Sequence, residues 1–325
     1  MATGSGNGTP LATVFGGSGF IGRYVVRALA RRGFRVRAAV RRPELAGHLQ
    51  PMGDVGQIHA VQANLRYADS VARALEGASV AVNLVGILHE TGRQSFEAIH
   101  AVGAGVVAEA ARQAGAGAVV QISAIGADAG SPSKYARSKA AGEAAVRADF
   151  PGAVIMRPSV VFGSEDEFFN RFAALARLAP ALPLIGGGNT RFQPVYVGDV
   201  AEAVARAVEG GAAAGDAYEL GGPDIMTLRQ VFEFVLEVTE RRRLLIPLSF
   251  ILARMQAAIL QQLPRPLLTV DQVRLLEHDN VVSEAARDAG RTLEGLGIAP
   301  RTVRAIAPEY LERFRKTGQF RSTST

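Results

Sequence analysis

The chain has 325 residues, 48% of them hydrophobic and 20% charged, with a formal net charge of +6. That is enough apolar side chain to bury a large core, as one large domain or a domain with a smaller appendage. Cysteine is absent, which excludes disulfides, thiolate metal sites and thiol nucleophiles, and the five histidines (His48, His59, His89, His100, His278) show no metal-ligand spacing. The basic residues are dispersed arginines apart from Lys134, Lys139 and Lys316, and no nucleic-acid motif accompanies them. The positive charge therefore reads as solvated surface, and no nucleic-acid partner is expected.

The opening run from Met1 to Pro10 is rich in Gly, Ser and Thr and lacks the basic start and apolar stretch of a secretion signal, so it reads as a flexible leader. From Leu11 onward, short β-branched runs alternate with helical patterns. Strands are predicted at Leu11–Phe15, Arg35–Val40, Gln57–Gln62, Ser79–Leu84, Ala118–Ser123 and Ala153–Met156, and a helix at Phe20–Arg32. The fold class is α/β: a Rossmann, doubly wound parallel sheet over 11–160, to which some later segments can return, with a smaller α+β lid and docking region over 161–325. Capping boxes at Ser164-x-x-Glu167 and Thr227-x-x-Gln230 predict helices from about Glu165 and Leu228. The apolar stretch Leu244 to Pro264 is broken by Arg254, so nothing is expected to span a bilayer.

The first strand leads directly into Gly16-Gly17-Ser18-Gly19-Phe20-Ile21-Gly22, a G-x-x-G-x-x-G turn opening an amphipathic helix. Glycines let the backbone turn tightly against a pyrophosphate, and a helix N-terminus supplies amides and partial positive charge. Gly16, Ser18, Gly19, Phe20, Ile21 and Gly22 are thus candidate nucleotide contacts. Where an NAD-preferring fold places an acid after the second strand, this chain has Arg41-Arg42, whose guanidinium groups suit a 2′-phosphate and favour NADPH over NADH. Tyr135-x-x-x-Lys139 places a phenol and an ammonium on one helical face, with Ser123 closing the preceding strand. Such an ammonium lowers the phenol's pKa toward working pH, and the serine can hold a carbonyl, so Ser123, Tyr135 and Lys139 are candidate catalytic residues.

These motifs, with Arg157-Pro158-Ser159 and Val161-Phe162-Gly163 after the sixth strand, resemble the extended or atypical short-chain dehydrogenase/reductases. The resemblance implies that Asn64 lies beside the adenine, Val85 and Gly86 beside the ribose, Lys139 on the nicotinamide ribose, and Pro158, Ser159 and Val160 beside the nicotinamide. Asn64 departs from the Asp usual at its position. Asp199, in Gln193–Ala201, is expected to be a structural cap. The segments Pro266–Val273 with Thr269-x-Asp271-Gln272-Val273, Asp279–Val282, Leu296–Ile298 and Tyr310–Arg315 resemble the accessory subunit of respiratory complex I of the alpha subcomplex subunit nine type, in a bacterial version without a transit peptide. That implies a structural NADPH, peripheral-arm subunits as partners and a cytoplasmic, peripheral place on the inner membrane.

From Pro247, Leu248, Ile251, Leu252, Met255, Ile259 and Leu263 recur at helical spacing after Arg241-Arg242-Arg243. The stripe is either core or a docking face, and contact with a membrane surface through 244–264 and the C-terminal tail is one outcome. Two functions follow: an NADP(H)-binding accessory subunit of complex I without turnover, or a free-standing NADP-dependent reductase or epimerase acting on a sugar nucleotide, isoprenoid or quinone-like substrate.

Overall fold

The computed structural model describes residues 9–263, 266–316 and 318; the leader up to residue 8, Pro264 and the end of the C-terminal tail lie outside the described residues. The chain forms two compact units. One takes the chain up to Ser123, Ser138–Met156 and Ala201–Ala217; the other takes Ala124–Arg137, Arg157–Val200 and the chain from Tyr218 onward.

In chain order the strands are β1 (Leu11–Phe15), β2 (Arg35–Val40), β3 (Ile58–Gln62), β4 (Val80–Asn83), β5 (Ala118–Ile122) and β6 (Val154–Pro158). Between them lie helices α1 (Phe20–Arg31), α2 (Ala68–Leu75), α3 (Gly103–Gln113) and α4 (Lys134–Asp149). The sheet order is β6-β5-β4-β1-β2-β3, with the strand Ala217–Leu220 added beside β6. Each neighbouring pair from β3 to β6 is parallel. Parallel sheets covered on both faces need strands apolar throughout, and β1 meets that demand: Ala12, Val14 and Phe15 are fully buried. Its one polar residue, Thr13, donates its hydroxyl to the Ala74 carbonyl at 2.8 Å and so brings no unsatisfied group into the core. The chain reverses its winding between β1 and β4, the position where doubly wound sheets open a crevice at their carboxyl ends.

The second unit has an aromatic core around α5 (Phe169–Leu178), where Phe162, Phe169 and Phe234 pack edge to face. α6 (Val197–Val208) carries Asp199 in its first turn, with the carboxylate accepting from the Arg301 amide at 2.8 Å. One oxygen of Asp199 thus ties the first turn of α6 to the Arg301 backbone. The capping box at Thr227 forms as expected and starts α7 (Leu228–Val238). The one expected at Ser164 does not. Asp166 takes that place: its carboxylate accepts from the amides of Gly163, Phe168 and Asn170, and α5 starts only at Phe169.

Pro247 does not open a helix either. Leu244–Leu248 is a strand paired in parallel with Ala181–Ile185, and α8 (Phe250–Leu260) starts after Ser249, whose hydroxyl caps the Leu252 amide. Ala253 and Ala257 face the interior, against Val273 of α9 (Val270–Leu275). Ile251, Leu252, Met255 and Ile259 are more than half exposed. The stripe is therefore not core within this chain. Among the described residues no helix is long and apolar enough to cross a membrane.

Two further helices, α10 (Glu284–Asp288) and α11 (Val303–Leu311), complete the unit. From α11, Tyr310 donates to Asp166 at 2.6 Å in a buried pair. Burial pushes the Asp166 carboxyl up and the Tyr310 phenol up strongly. Tyr310→Phe should leave Asp166 buried with one donor fewer and cost about 1–3 kcal/mol, read as a lower midpoint in thermal or urea unfolding.

Candidate functional site

The loop after β1 is shaped by two glycines that tolerate no substitute. Gly16 has φ +77°, in the left-handed region, and its carbonyl accepts from the Gly19 amide at 3.0 Å. A Cβ on Gly22 would lie 2.1 Å from the Gly16 oxygen and 2.7 Å from the Gly17 carbonyl carbon. The first turn of α1 thus presses directly on the strand-to-helix turn. Gly19, its N-cap residue, brings no side-chain cap to the first amides. A turn that excludes side chains and ends in an uncapped helix start fits an anionic group such as a pyrophosphate.

Around this turn the first unit gathers the ends of β2, β3 and β4. Arg41 is exposed and its guanidinium donates to Gln94 Oε1 at 2.7 Å, so the side chain is held by a residue 53 positions away. Arg42 is also exposed. Asn64 turns its side chain back on the chain, accepting from the Arg66 amide at 3.2 Å, and its backbone is tied to Ser70. Val85 follows β4, its amide held at 3.1 Å by Asn83 Oδ1. Next to it, a Cβ on Gly86 would meet His100 Nε2 and Lys139 Nζ, each at 3.5 Å.

His100 sits in a single turn of π-helix, Glu97–Val102, ahead of α3, and is 3% exposed. Its Nε2 accepts from the Ile87 amide at 2.9 Å, which leaves Nδ1 to donate to Ser138 Oγ at 2.9 Å. Burial, reinforced by the charge of Lys139, pushes it down to about 3. It is therefore a neutral brace between the loop after β4 and α4. The sequence offered no signal for it, because its partners lie 13 and 38 positions away. Insertions of this kind recur at functional sites.

Ser123, at the end of β5, is 4% exposed, and its Oγ is the one buried side-chain oxygen without a hydrogen-bond partner among the described residues. Buried hydroxyls are normally satisfied, so an orphan here points to a ligand group. Tyr135 and Lys139 stand at i and i+4 on α4. Lys139 is 7% exposed, with a long 3.4 Å bond to the Ile122 carbonyl, and burial lowers its ammonium to about 8, opposed by Glu143. Burial raises the Tyr135 phenol to about 12. The expected lowering of that phenol toward neutrality is absent; desolvation raises it instead.

In the second unit Pro158 closes β6, and the loop after it is tied down by Asn280. Ser159 Oγ donates to Asn280 Oδ1 at 2.7 Å, and the Val160 amide donates to the same oxygen at 3.1 Å. The Ser159 hydroxyl is thus committed within the protein. Asn280 explains one of the C-terminal segments singled out in the sequence; its role lies in contacts across more than 100 residues.

Fold and turn together define a dinucleotide-binding class, and the chain belongs to the NAD dependent epimerase/dehydratase family, which it matches over residues 12–221. Over nearly its whole length it is also similar to a mitochondrial NADH dehydrogenase [ubiquinone] 1 alpha subcomplex subunit 9. It is 37% identical to the Arabidopsis thaliana protein over 320 residues, covering 95% of this chain and 79% of the relative. To the Mus musculus protein it is 34% identical over 308 residues, covering 94% and 80%. Among solved structures, the NADPH-dependent quinone oxidoreductase QOR2 of Escherichia coli, complexed with NADPH, superposes with a TM-score of 0.72 at 21% identity, covering 92% of this chain and 99% of that one.

His100 makes acid stability a test of this geometry. Between pH 6.5 and about 3 the unfolded histidine takes up a proton that the folded one refuses, so stability should fall as pH falls through that window. His100→Gln, which can still accept from the Ile87 amide, should lose its share of that fall, on the order of 5 kcal/mol at about 1.36 kcal/mol per pKa unit. Urea melts of both proteins across this pH range measure the difference; parallel curves would contradict a neutral buried imidazole.

Proposed function

We propose that this chain is an NADP(H)-binding accessory subunit of respiratory complex I, holding the nucleotide as a structural element without turnover of its own. The observation that carries the reading is the span of the likeness. The family match ends at residue 221, whereas the likeness to the alpha subcomplex subunits runs over 95% of the chain and takes in its C-terminal third. A tagged copy purified from solubilised native membranes should bring the core NADH dehydrogenase subunits with it. Recovery of the tagged chain alone from the soluble fraction would contradict the proposal.

The nucleotide, when bound, supplies a hydride donor or acceptor; the chain's residues bind and orient it. Gly16 to Gly22 would receive the pyrophosphate, Val85 and Gly86 a ribose and Asn64 the adenine, and Pro158, Ser159 and Val160 are the candidates for the nicotinamide. Arg41 and Arg42 would favour the 2′-phosphate, with Arg41 also bonded to Gln94. Lys139 holds ribose hydroxyls. A phenol raised to about 12 keeps its proton at neutral pH and would serve the bound nucleotide as a hydrogen-bond donor. The second reading, a reductase or epimerase, draws on the orphan hydroxyl of Ser123, which would receive a substrate carbonyl.

Replacing Arg41 and Arg42 with Gln should weaken NADPH binding by about 1–3 kcal/mol and leave NADH nearly unchanged, as titration calorimetry would measure; equal losses would remove the preference. Lys139→Ala should damage nucleotide binding while Tyr135→Phe leaves it intact. A reductase activity that disappears in Tyr135→Phe would transfer the assignment to the second reading.

The chain would sit peripherally on the cytoplasmic face of the inner membrane, with the exposed side of α8 and Leu244 and Ile246 docking onto the complex beside the lipid. Ile251→Glu and Met255→Glu, at sites 65% and 63% exposed, should leave the melting midpoint and NADPH binding unchanged but release the chain from the membrane-associated complex. Unfolding of either variant would show the face to be core instead.

A further inference from the structure

The segment Thr269-x-Asp271-Gln272-Val273 has a local purpose and a remote one. Locally, Thr269 and Gln272 form a reciprocal capping box that starts α9. The residue between them, Asp271, spends its carboxylate elsewhere: Oδ1 accepts from the Lys134 amide at 2.8 Å, and Oδ2 accepts from the Tyr135 amide at 3.0 Å and from Ser133 Oγ at 2.8 Å. Ser133 in turn accepts from the Ala136 amide at 3.2 Å, and its carbonyl accepts from the Arg137 amide at 3.2 Å. The first amides of α4, which no helix can satisfy internally, are thus closed by one local serine and one carboxylate 136 positions further along the chain.

We propose that Asp271 is a positioning residue: its carboxylate fixes the first turn of α4, and with it Tyr135, to the C-terminal segment, so that whatever moves α8 and α9 is felt at Tyr135. The link is mechanically short. Ala253 and Ala257 of α8, both fully buried, pack with Val273 of α9, and Asp271 lies two residues before Val273. α8 is also the helix whose other side stands exposed. A helix start capped from a distance is fixed only while the distant element keeps its place, and loss of a carboxylate cap lets the first turn fray. The proposal rests on the docking role given above to α8; through Asp271, occupancy of that face would set the order of Tyr135.

The test uses the full chain, with the six tyrosines labelled at Cζ and resolved by NMR, alongside amide exchange. In Asp271→Ala the Lys134 and Tyr135 amides should exchange roughly ten-fold faster, and the Tyr135 ring signal should shift or broaden while those of Tyr24 and Tyr67 stay in place. Asp271→Asn, which keeps the shape and one acceptor oxygen, should be intermediate, and it serves if the alanine variant does not fold. Ala257→Val, which overfills the seam between α8 and α9, should move the Tyr135 signal in the wild-type background and leave it still in Asp271→Ala. Faster exchange spread over the whole chain, an unmoved Tyr135 signal, or an Ala257→Val effect that survives loss of Asp271 would each overturn the proposal. The same spectra with NADPH added test the nucleotide reading separately, because a chain that ignores NADPH can still show the coupling.

Discussion

No side chain fits between Gly16 and Gly22, and the placing of the nucleotide site depends on that exclusion. With only a hydrogen on Gly22, the first turn of α1 closes to within contact of the Gly16 carbonyl, while the left-handed Gly16 swings the chain out of β1 sharply enough to begin the helix at once. The uncapped start of α1 then stands over the carboxyl end of β1, next to the point where the winding reverses toward β4. Everything placed by the ends of β2, β3 and β4 is placed relative to this turn.

The second organising feature is a set of buried polar groups that shed or keep protons because of desolvation. Lys139 is eased toward neutrality, His100 is held neutral, and Tyr135 keeps its proton well into the alkaline range. In a working acid–base pair the phenol would have to be drawn down toward the pH at which it reacts. Here both the ammonium and the phenol are hydrogen-bond donors at neutral pH, a state that serves the holding of sugar hydroxyls as well as proton donation to a carbonyl. The motif that signals catalysis in sequence is therefore compatible with retention alone.

The strands were legible in the sequence to within a residue or two, because a parallel sheet covered on both faces demands continuous apolar runs and glycine-rich turns to end them. The glycine turn was legible for the same local reason. What escaped is long-range. Ser164 and Glu167 have the spacing of a capping box, yet Asp166 wins the amides because its carboxylate is also held by Tyr310. Pro247 has the look of a helix start, yet pairing with Ala181–Ile185 holds it in a strand and passes the cap to Ser249. His100, Asn280 and Asp271 were each visible as letters, two of them inside segments already singled out. Their partners lie tens to hundreds of positions away, and spacing along the chain carries no trace of them.

The C-terminal third sets this chain apart from a bare dinucleotide fold. It supplies Asn280 to brace the loop after β6, Asp271 to close α4, and an apolar helix side left uncovered by the chain itself. A cryo-electron-microscopy map of complex I isolated from the native membrane tests the central claim most directly. This chain is expected on the peripheral arm, α8 against its neighbours, with NADP(H) density at the Gly16–Gly22 turn. A fully assembled, active complex that lacks the chain would contradict it.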